Sequence, residues 1–98
     1  MTVKCGQKCT AVRRIIVPDK LVEDVQLALG NALGKTTIGN PEEEGVRMGA
    51  LAGQEQLKEV TKRVAALARS SEMIYGSLDK GEAIGADWEK GAFISPIL

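Results

Sequence analysis

Two stretches of helical periodicity, separated by an irregular segment, set the layout of this 98-residue chain. In residues 20–35 and 54–69, apolar side chains recur every three or four positions, as they do along one face of an amphipathic helix. Apolar runs at 13–17, 72–75 and 93–98 are typical of short strands. The sequence therefore predicts the order strand, helix, loop, helix, strand, loop, strand, an α/β pattern with helices flanking a small sheet.

Residue types that often cap helices lie at both ends of the first helix. Asp19 stands where an N-cap residue is expected, and Gly30 and Gly34 lie near the other end, where glycine C-caps are common. The stretch GNALGKTT at 30–37 resembles a phosphate-binding loop only superficially. Three residues separate its glycines where that loop has four, and a helix precedes it where that loop follows a strand. We therefore interpret the two glycines as helix-ending residues.

Charge and histidine content exclude several classes of function. Thirteen Lys and Arg balance thirteen Asp and Glu, and this neutrality argues against a general nucleic-acid binder. Because no apolar run approaches the roughly 20 residues of a membrane span, and the first residues are polar and basic, we expect a soluble cytoplasmic protein with no membrane or nucleic-acid partner. The chain has no histidine, so its own residues cannot supply a Ser-His-Asp triad, a Cys-His pair or a histidine metal site.

The two cysteines, Cys5 and Cys9, lie four positions apart. A zinc site normally takes four ligands, and too few accompany this pair, so no metal is expected. A local disulfide, a reactive thiol and two unrelated thiols, one of them buried, are all compatible with the residues alone. Lys4 and Lys8 are close in sequence and no acidic residue precedes Asp19. Positive surroundings favour a thiolate, which makes Cys9 the candidate reactive cysteine.

Four short motifs, in order along the chain, resemble the catalytic domain of the aldehyde dehydrogenase family. GQKCTA at 6–11 is similar to the Gly-Gln-x-Cys segment that carries the family's nucleophile, and the strand predicted at 13–17 follows it. IGNP at 38–41 is similar to Val-Gly-Asp-Pro, MGAL at 48–51 to Gly-Pro-Leu, and GAFISP at 91–96 to Gly-Tyr-Phe-x-x-Pro. Ala50 departs from the proline of the third motif, and Ile97 departs from the threonine that usually follows the fourth.

The longer strings TVKCGQKCTAVRRIIVP and EGVRMGAL most resemble one branch of that family. This branch is the semialdehyde dehydrogenase half of the bifunctional ring-cleavage enzymes of bacterial phenylacetate degradation, which acts on a ring-opened, CoA-linked semialdehyde. The resemblance implies that Cys9 is the catalytic nucleophile and that Gly6, Gln7 and Thr10 shape the turn around it. It also implies that Cys5, which replaces a small residue of the relatives, is not catalytic.

The mechanism implied by the resemblance is covalent. The cysteine thiolate attacks an aldehyde, hydride passes to NADP or NAD, and water activated by a glutamate hydrolyses the resulting thioester. An asparagine side chain and the backbone N–H of Cys9 stabilise the oxyanion.

The resemblance further implies how much of such an enzyme these residues represent. The family's dinucleotide-binding domain, oxyanion asparagine and general-base glutamate precede the nucleophile, and its ribose-binding glutamate follows the matched region. We therefore expect residues 1–98 to form a single partial domain, a slice of a three-layer α/β/α catalytic domain that lacks the NAD(P)-binding domain. No bound cofactor, no cofactor-binding residue and no activity are expected of the isolated chain.

The expected partners are further copies of this chain or full-length dehydrogenase subunits. One alternative is a non-catalytic interaction module that docks on such subunits. A second is a redox protein that uses Cys5 and Cys9 as a pair.

Overall fold

The computed structural model describes all 98 residues, from Met1 to Leu98. It contains two α-helices, α1 at Val22–Gly34 and α2 at Gln54–Leu67, together with short 3-10 turns at Val3–Gly6 and Asp19–Leu21. Both helices occupy the stretches where apolar side chains recur at helical spacing, so these two predictions are confirmed. Neither helix is long and apolar enough to cross a membrane.

The capping predictions for α1 are wrong at both ends. Leu21 occupies the N-cap position, and Asp19 instead opens the preceding 3-10 turn without a side-chain capping hydrogen bond. At the other end Lys35 is the C-cap, with right-handed dihedrals. Neither Gly30 nor Gly34 has a positive φ, so neither forms the left-handed cap that glycine usually provides.

The two glycines of α1 instead make room for an aromatic side chain. A Cβ added at Gly30 would lie 3.5 Å from Cδ2 of Tyr75, and one added at Gly34 would lie 3.3 Å from its hydroxyl. Glycines four positions apart share one face of a helix. They therefore give the Tyr75 ring a flat surface on which to pack.

The predicted strands are not formed, and the only β-type pairings are isolated parallel bridges of Ile38 with Met48 and of Gly39 with Ile84. Residues 12–17 neither donate nor accept a backbone hydrogen bond, and the Ile16 side chain is 95% exposed. A β-branched run becomes a strand only when a neighbouring strand takes up its N–H and C=O groups. No segment of these 98 residues does so here, and the run stays unpaired, without regular secondary structure.

The other two predicted strands meet at a single point. Tyr75 and Leu98 exchange backbone hydrogen bonds of 3.1 and 3.0 Å, and the Ile74 N–H donates to the same Leu98 carbonyl at 2.9 Å. This contact brings 72–75 beside 93–98 but does not extend into a ladder. Family membership suggests an α/β domain, whereas the strand pattern itself is absent from the structure.

The buried core is small. Only six residues are buried, and they come from α1, from the bridge at position 39, from the loop at 48–51 and from the segment at 92–93: Leu33, Gly39, Met48, Leu51, Ala92 and Phe93. Trp88 stacks on Phe93 with ring centroids 5.8 Å apart, which extends the core toward the surface. No residue of α2 is buried, and Leu67 at its end is 62% exposed.

The accessible surface is large for the mass. The chain exposes 7269 Å², whereas a compact monomer of this mass exposes about 5,400 Å². The excess of about 1,900 Å² is comparable to the total area that a standard protein–protein interface buries, about 1,600 Å². The chain therefore exposes more surface than a compact monomer of its mass, by about the area that an interface with further protein would bury.

Candidate nucleophile site

A left-handed turn precedes the candidate nucleophile. Lys4 and Cys5 have φ values of 50° and 54°, and Gly6 continues the turn at 74°. This conformation costs an L-residue about 1–2 kcal/mol, whereas glycine adopts it freely. Two backbone hydrogen bonds close the turn, from the Cys5 N–H to the Thr2 carbonyl at 2.9 Å and from the Gln7 N–H to the Lys4 carbonyl at 3.0 Å.

The Gln7 side chain uses both ends of its amide. Its Nε2 donates to the Lys4 carbonyl at 3.0 Å, and its Oε1 accepts from the Ala52 N–H at 3.0 Å. The first bond reinforces the left-handed turn, and the second joins this turn to a loop 45 positions away in sequence. Gln7 thus stabilises the turn that precedes Cys9, and its predicted role in the turn around Cys9 itself stays a prediction.

Cys9 is a free, exposed thiol on the next turn. The Ala11 N–H donates to the Lys8 carbonyl at 2.9 Å and closes this turn around Cys9 and Thr10, both of which are exposed. The backbone N–H of Cys9 donates to no protein acceptor. It is therefore free to donate to an oxygen of a bound molecule.

Cys5 has a different environment. Its thiol is free but half-buried, and burial raises its pKa above the ordinary value because an apolar surrounding disfavours the thiolate. It lines an open cleft of about 570 Å³ together with apolar residues of α2 and of 94–97, and Cys9 does not line this cleft. The two thiols thus have separate surroundings.

All four motifs of the family resemblance are connected through the loop at 48–52. The Gly39 N–H donates to the Met48 carbonyl at 3.1 Å, and Gly49 faces the Pro41 ring, where an added Cβ would lie 2.9 Å from Cγ. On the far side, the Leu51 N–H donates to the Ala92 carbonyl at 2.9 Å. With the bond from Ala52 to Gln7, this loop is the structural centre on which the other three motifs converge.

The contacts at this centre could not be predicted from the sequence. Its key groups are the backbone N–H groups of Leu51 and Ala52 and the carbonyls of Lys4 and Ala92. Backbone groups are the same in every residue type, so no pattern of side chains could have revealed them.

The residues present do not fit a dinucleotide. The GNALGKTT stretch ends α1 and does not precede a helix, so it presents no row of N–H groups to a pyrophosphate. The first turns of α1 and α2 carry Glu23, Asp24 and Glu55, whose negative charge disfavours a phosphate there. No group of three or more His, Cys, Asp or Glu residues could hold a metal ion.

The comparison with known proteins assigns the family. The model of the aldehyde dehydrogenase family matches residues 1–98. The chain belongs to this family of oxidoreductases, and its exposed Cys9 lies in the segment that resembles the family's nucleophile motif.

Individual relatives agree with this assignment. The chain is 38% identical over 98 residues to a 3,4-dehydroadipyl-CoA semialdehyde dehydrogenase of Aromatoleum evansii. This alignment covers 100% of this chain and 19% of the relative. It is 32% identical over 94 residues to an aldehyde dehydrogenase homologue of Staphylococcus saprophyticus, and 31% identical to one of Staphylococcus epidermidis. Each of these alignments covers 95% of this chain and 19% of the relative. The chain thus spans about one fifth of the length of the relatives it matches.

The two thiols should differ in their reaction with iodoacetamide. We expect Cys9 to be alkylated at least about tenfold faster than Cys5 at neutral pH, because alkylation needs an accessible thiolate. The raised pKa of Cys5 lowers its thiolate fraction at neutral pH, so the difference should narrow as pH rises toward that pKa. Peptide mass spectrometry after timed labelling measures both rates.

Denaturant provides the control for this labelling experiment. In urea the two thiols should react at similar rates, since the burial of Cys5 is then lost. Faster labelling of Cys5 than of Cys9 in the folded chain would show that the assignment of the accessible thiol is wrong.

Proposed function

We propose that the chain provides the nucleophile segment of an NAD(P)-dependent aldehyde dehydrogenase, with Cys9 as the attacking thiol. One observation carries this proposal: Cys9 is exposed on a closed turn, two residues after Gln7, whose side chain accepts the N–H of Ala52 beside the MGAL motif. The overall reaction is the oxidation of an aldehyde to an acid.

The chemistry of these residues is nucleophilic addition. The Cys9 thiolate attacks the carbonyl carbon, a carbon–sulfur bond forms, and the π electrons of the carbonyl move to its oxygen to give a thiohemiacetal oxyanion. The unpaired backbone N–H of Cys9 is available to donate to this oxygen. A donor fixed beside the developing charge lowers the barrier because it needs no reorganisation during the reaction.

The other steps of the reaction need groups that these 98 residues do not supply. In the family resemblance, an asparagine completes the oxyanion site, and a glutamate activates the water that releases the acid. The hydride acceptor, NADP or NAD, would have to be held by other residues, since the helix N-termini here do not suit its phosphates. We therefore propose that the 98-residue chain alone does not turn over aldehyde.

The substrate class in this proposal is a ring-opened, CoA-linked semialdehyde of aromatic-acid degradation, with phenylacetate as the parent acid, oxidised in the cytoplasm. Two likenesses support it: the strings around Cys9 and around MGAL, and the 38% identity to a relative named for a CoA-linked semialdehyde.

A hybrid enzyme tests the proposed function. The 98 matching residues of the Aromatoleum evansii dehydrogenase are replaced by this chain, and aldehyde-dependent formation of NADPH or NADH is measured at 340 nm. We expect the hybrid to oxidise the relative's substrate. A hybrid that folds by circular dichroism and binds the nicotinamide cofactor, yet shows no aldehyde-dependent signal, would refute the proposal.

The exposed surface favours a second role, association with further protein. The unpaired backbone of residues 12–17 and the excess surface of the chain are both suited to pairing with another copy or with full-length dehydrogenase subunits. This role does not depend on catalysis.

Self-association should depend on Ile16. We expect the 98-residue chain to form dimers or larger species at high micromolar concentration in light scattering. Ile16→Lys should shift the population toward monomer, because the exposed edge then carries a charge that opposes strand pairing. Leu27→Lys is the matched control, since Leu27 is also an exposed apolar residue but lies on α1. A strictly monomeric wild-type chain would contradict the proposed association.

A further inference from the structure

The N-terminal segment has one hydrogen-bonded connection to the rest of the chain. Residues 1–17 make several hydrogen bonds among themselves, yet only the bond from the Ala52 N–H to Gln7 Oε1 joins them to residues 18–98. All four ion pairs of the structure lie within 55–90. Polar contacts that could fix the orientation of the Cys9 turn therefore reduce to a single side chain.

The donor of this bond, the backbone N–H of Ala52, is well anchored. Leu51, the neighbour of Ala52, is buried and donates its N–H to the Ala92 carbonyl. On the other side of Ala52, the Gly53 carbonyl accepts the Leu57 N–H at 3.1 Å in the first turn of α2. Ala52 is thus held between a core residue and a helix, and it provides a fixed point for Gln7.

We propose that Gln7 is a positioning residue for the nucleophile, which holds the Cys9 turn on the loop at 48–52. This inference rests on the proposed function. It adds that the Gln7 side chain fixes the position of the turn that carries Cys9. The role requires a side chain that donates at one end and accepts at the other, since Nε2 is bonded to Lys4 and Oε1 to Ala52. Among amino acids of this length, only glutamine meets both requirements at neutral pH.

Amide hydrogen exchange on the 98-residue chain tests the connection without any need for catalysis. In Gln7→Met, which keeps the length of the side chain but removes both hydrogen bonds, we expect the Ala52 amide to exchange about tenfold faster. The Cys5 and Gln7-position amides, which close the left-handed turn, should also lose protection. Gln7→Glu keeps the acceptor and should restore protection at Ala52 but not within the turn.

Gln54→Met is the matched control for this exchange experiment. Gln54 is another exposed glutamine whose amide donates to a distant backbone carbonyl, that of Lys90 at 3.2 Å. Its replacement should leave exchange in the N-terminal turn unchanged. If exchange at Ala52 and in the turn is the same in Gln7→Met as in the wild type, the proposed connection is wrong.

Kinetics of the hybrid enzyme test the consequence for the reaction. Gln7→Met should lower kcat about tenfold with KM nearly constant, because misplacement of the thiol raises the barrier after substrate has bound. Gln54→Met should leave kcat unchanged. An unchanged kcat in Gln7→Met would overturn the positioning role even where amide exchange confirms the hydrogen bond. An inactive hybrid with Gln7 intact would instead count against the proposed function.

Discussion

Serine in place of Cys9 is expected to lower the kcat of the hybrid enzyme by at least about 10³-fold, since removal of a covalent nucleophile has among the largest effects in enzymology. A serine hydroxyl stays protonated at neutral pH and is a far weaker nucleophile than a cysteine thiolate. The exposed turn at Cys9 would keep its shape in the variant, because no hydrogen bond of the structure involves the thiol. Steady-state formation of the reduced nicotinamide measures the effect.

The matched control for this prediction is Cys5→Ser. Cys5 is the other thiol of the chain, lies in the same N-terminal segment, and lines a cleft that excludes Cys9. Its replacement should change kcat by no more than about threefold, as is usual for a residue outside the reacting groups. Full activity in Cys9→Ser, or equal losses in both variants, would remove Cys9 from the role of nucleophile.

A large loss of stability is expected in Gly39→Ala. A Cβ at position 39 would lie 2.2 Å from the Ile84 carbonyl oxygen and 2.6 Å from its nitrogen. The Ile84 backbone cannot retreat easily, because it is bonded to Ile38 and to Asn40 at 2.8 Å each. Overpacking of this kind costs about 1–3 kcal/mol. We expect a loss at the upper end of this range, since backbone rather than a flexible side chain opposes the new methyl group.

Urea unfolding monitored by circular dichroism measures this loss. Gly53→Ala is the matched control, because a Cβ there would meet no atom within 4 Å and its φ of 172° is ordinary extended backbone. Gly53 is the N-cap of α2, where alanine is less favourable than glycine. The control should therefore lower the free energy of unfolding by no more than about 1 kcal/mol. An unfolding midpoint for Gly39→Ala equal to that of Gly53→Ala would contradict the close approach of Gly39 and Ile84.

The helices could be predicted from the sequence because their hydrogen bonds are local. A helix closes its bonds four residues apart, so the apolar spacing in 20–35 and 54–69 is enough to locate α1 and α2. A strand depends on a partner elsewhere in the chain, and residues 13–17 have none here. The amino acids of this β-branched run are the same whether or not a partner strand is present. Strand formation therefore could not be deduced from these residues alone.

The capping residues of α1 show a second limit of sequence reasoning. Glycines near a helix end usually indicate a left-handed cap. Gly30 and Gly34 instead leave room for the Tyr75 ring, which packs against them. That ring comes from a position more than 40 residues away in the chain. The role of these glycines therefore depends on long-range packing, which the residues around them do not reveal.

The candidate site was accessible to sequence reasoning in part. Cys9 and its flanking residues stand out because their motif resembles a nucleophile segment. The family comparison confirms membership of the aldehyde dehydrogenase family, and the role of Cys9 stays a prediction. The connection from Gln7 to Ala52 does not stand out, because a backbone N–H is common to nearly all residues. The raised pKa of Cys5 likewise depends on its burial. The neighbouring residues in the sequence do not indicate that burial.

The central claim is that Cys9 carries the covalent intermediate of aldehyde oxidation, and direct detection of that intermediate tests it best. The hybrid enzyme is mixed with substrate aldehyde and NADP, and in parallel with NAD, quenched in acid within the first turnover, digested, and examined by peptide mass spectrometry. We predict that the peptide containing Cys9 gains the mass of the acyl group less that of the thiol hydrogen it replaces, and that fragmentation localises this change to Cys9. Turnover without an adduct on Cys9, or an adduct on Cys5 in its place, would contradict the account.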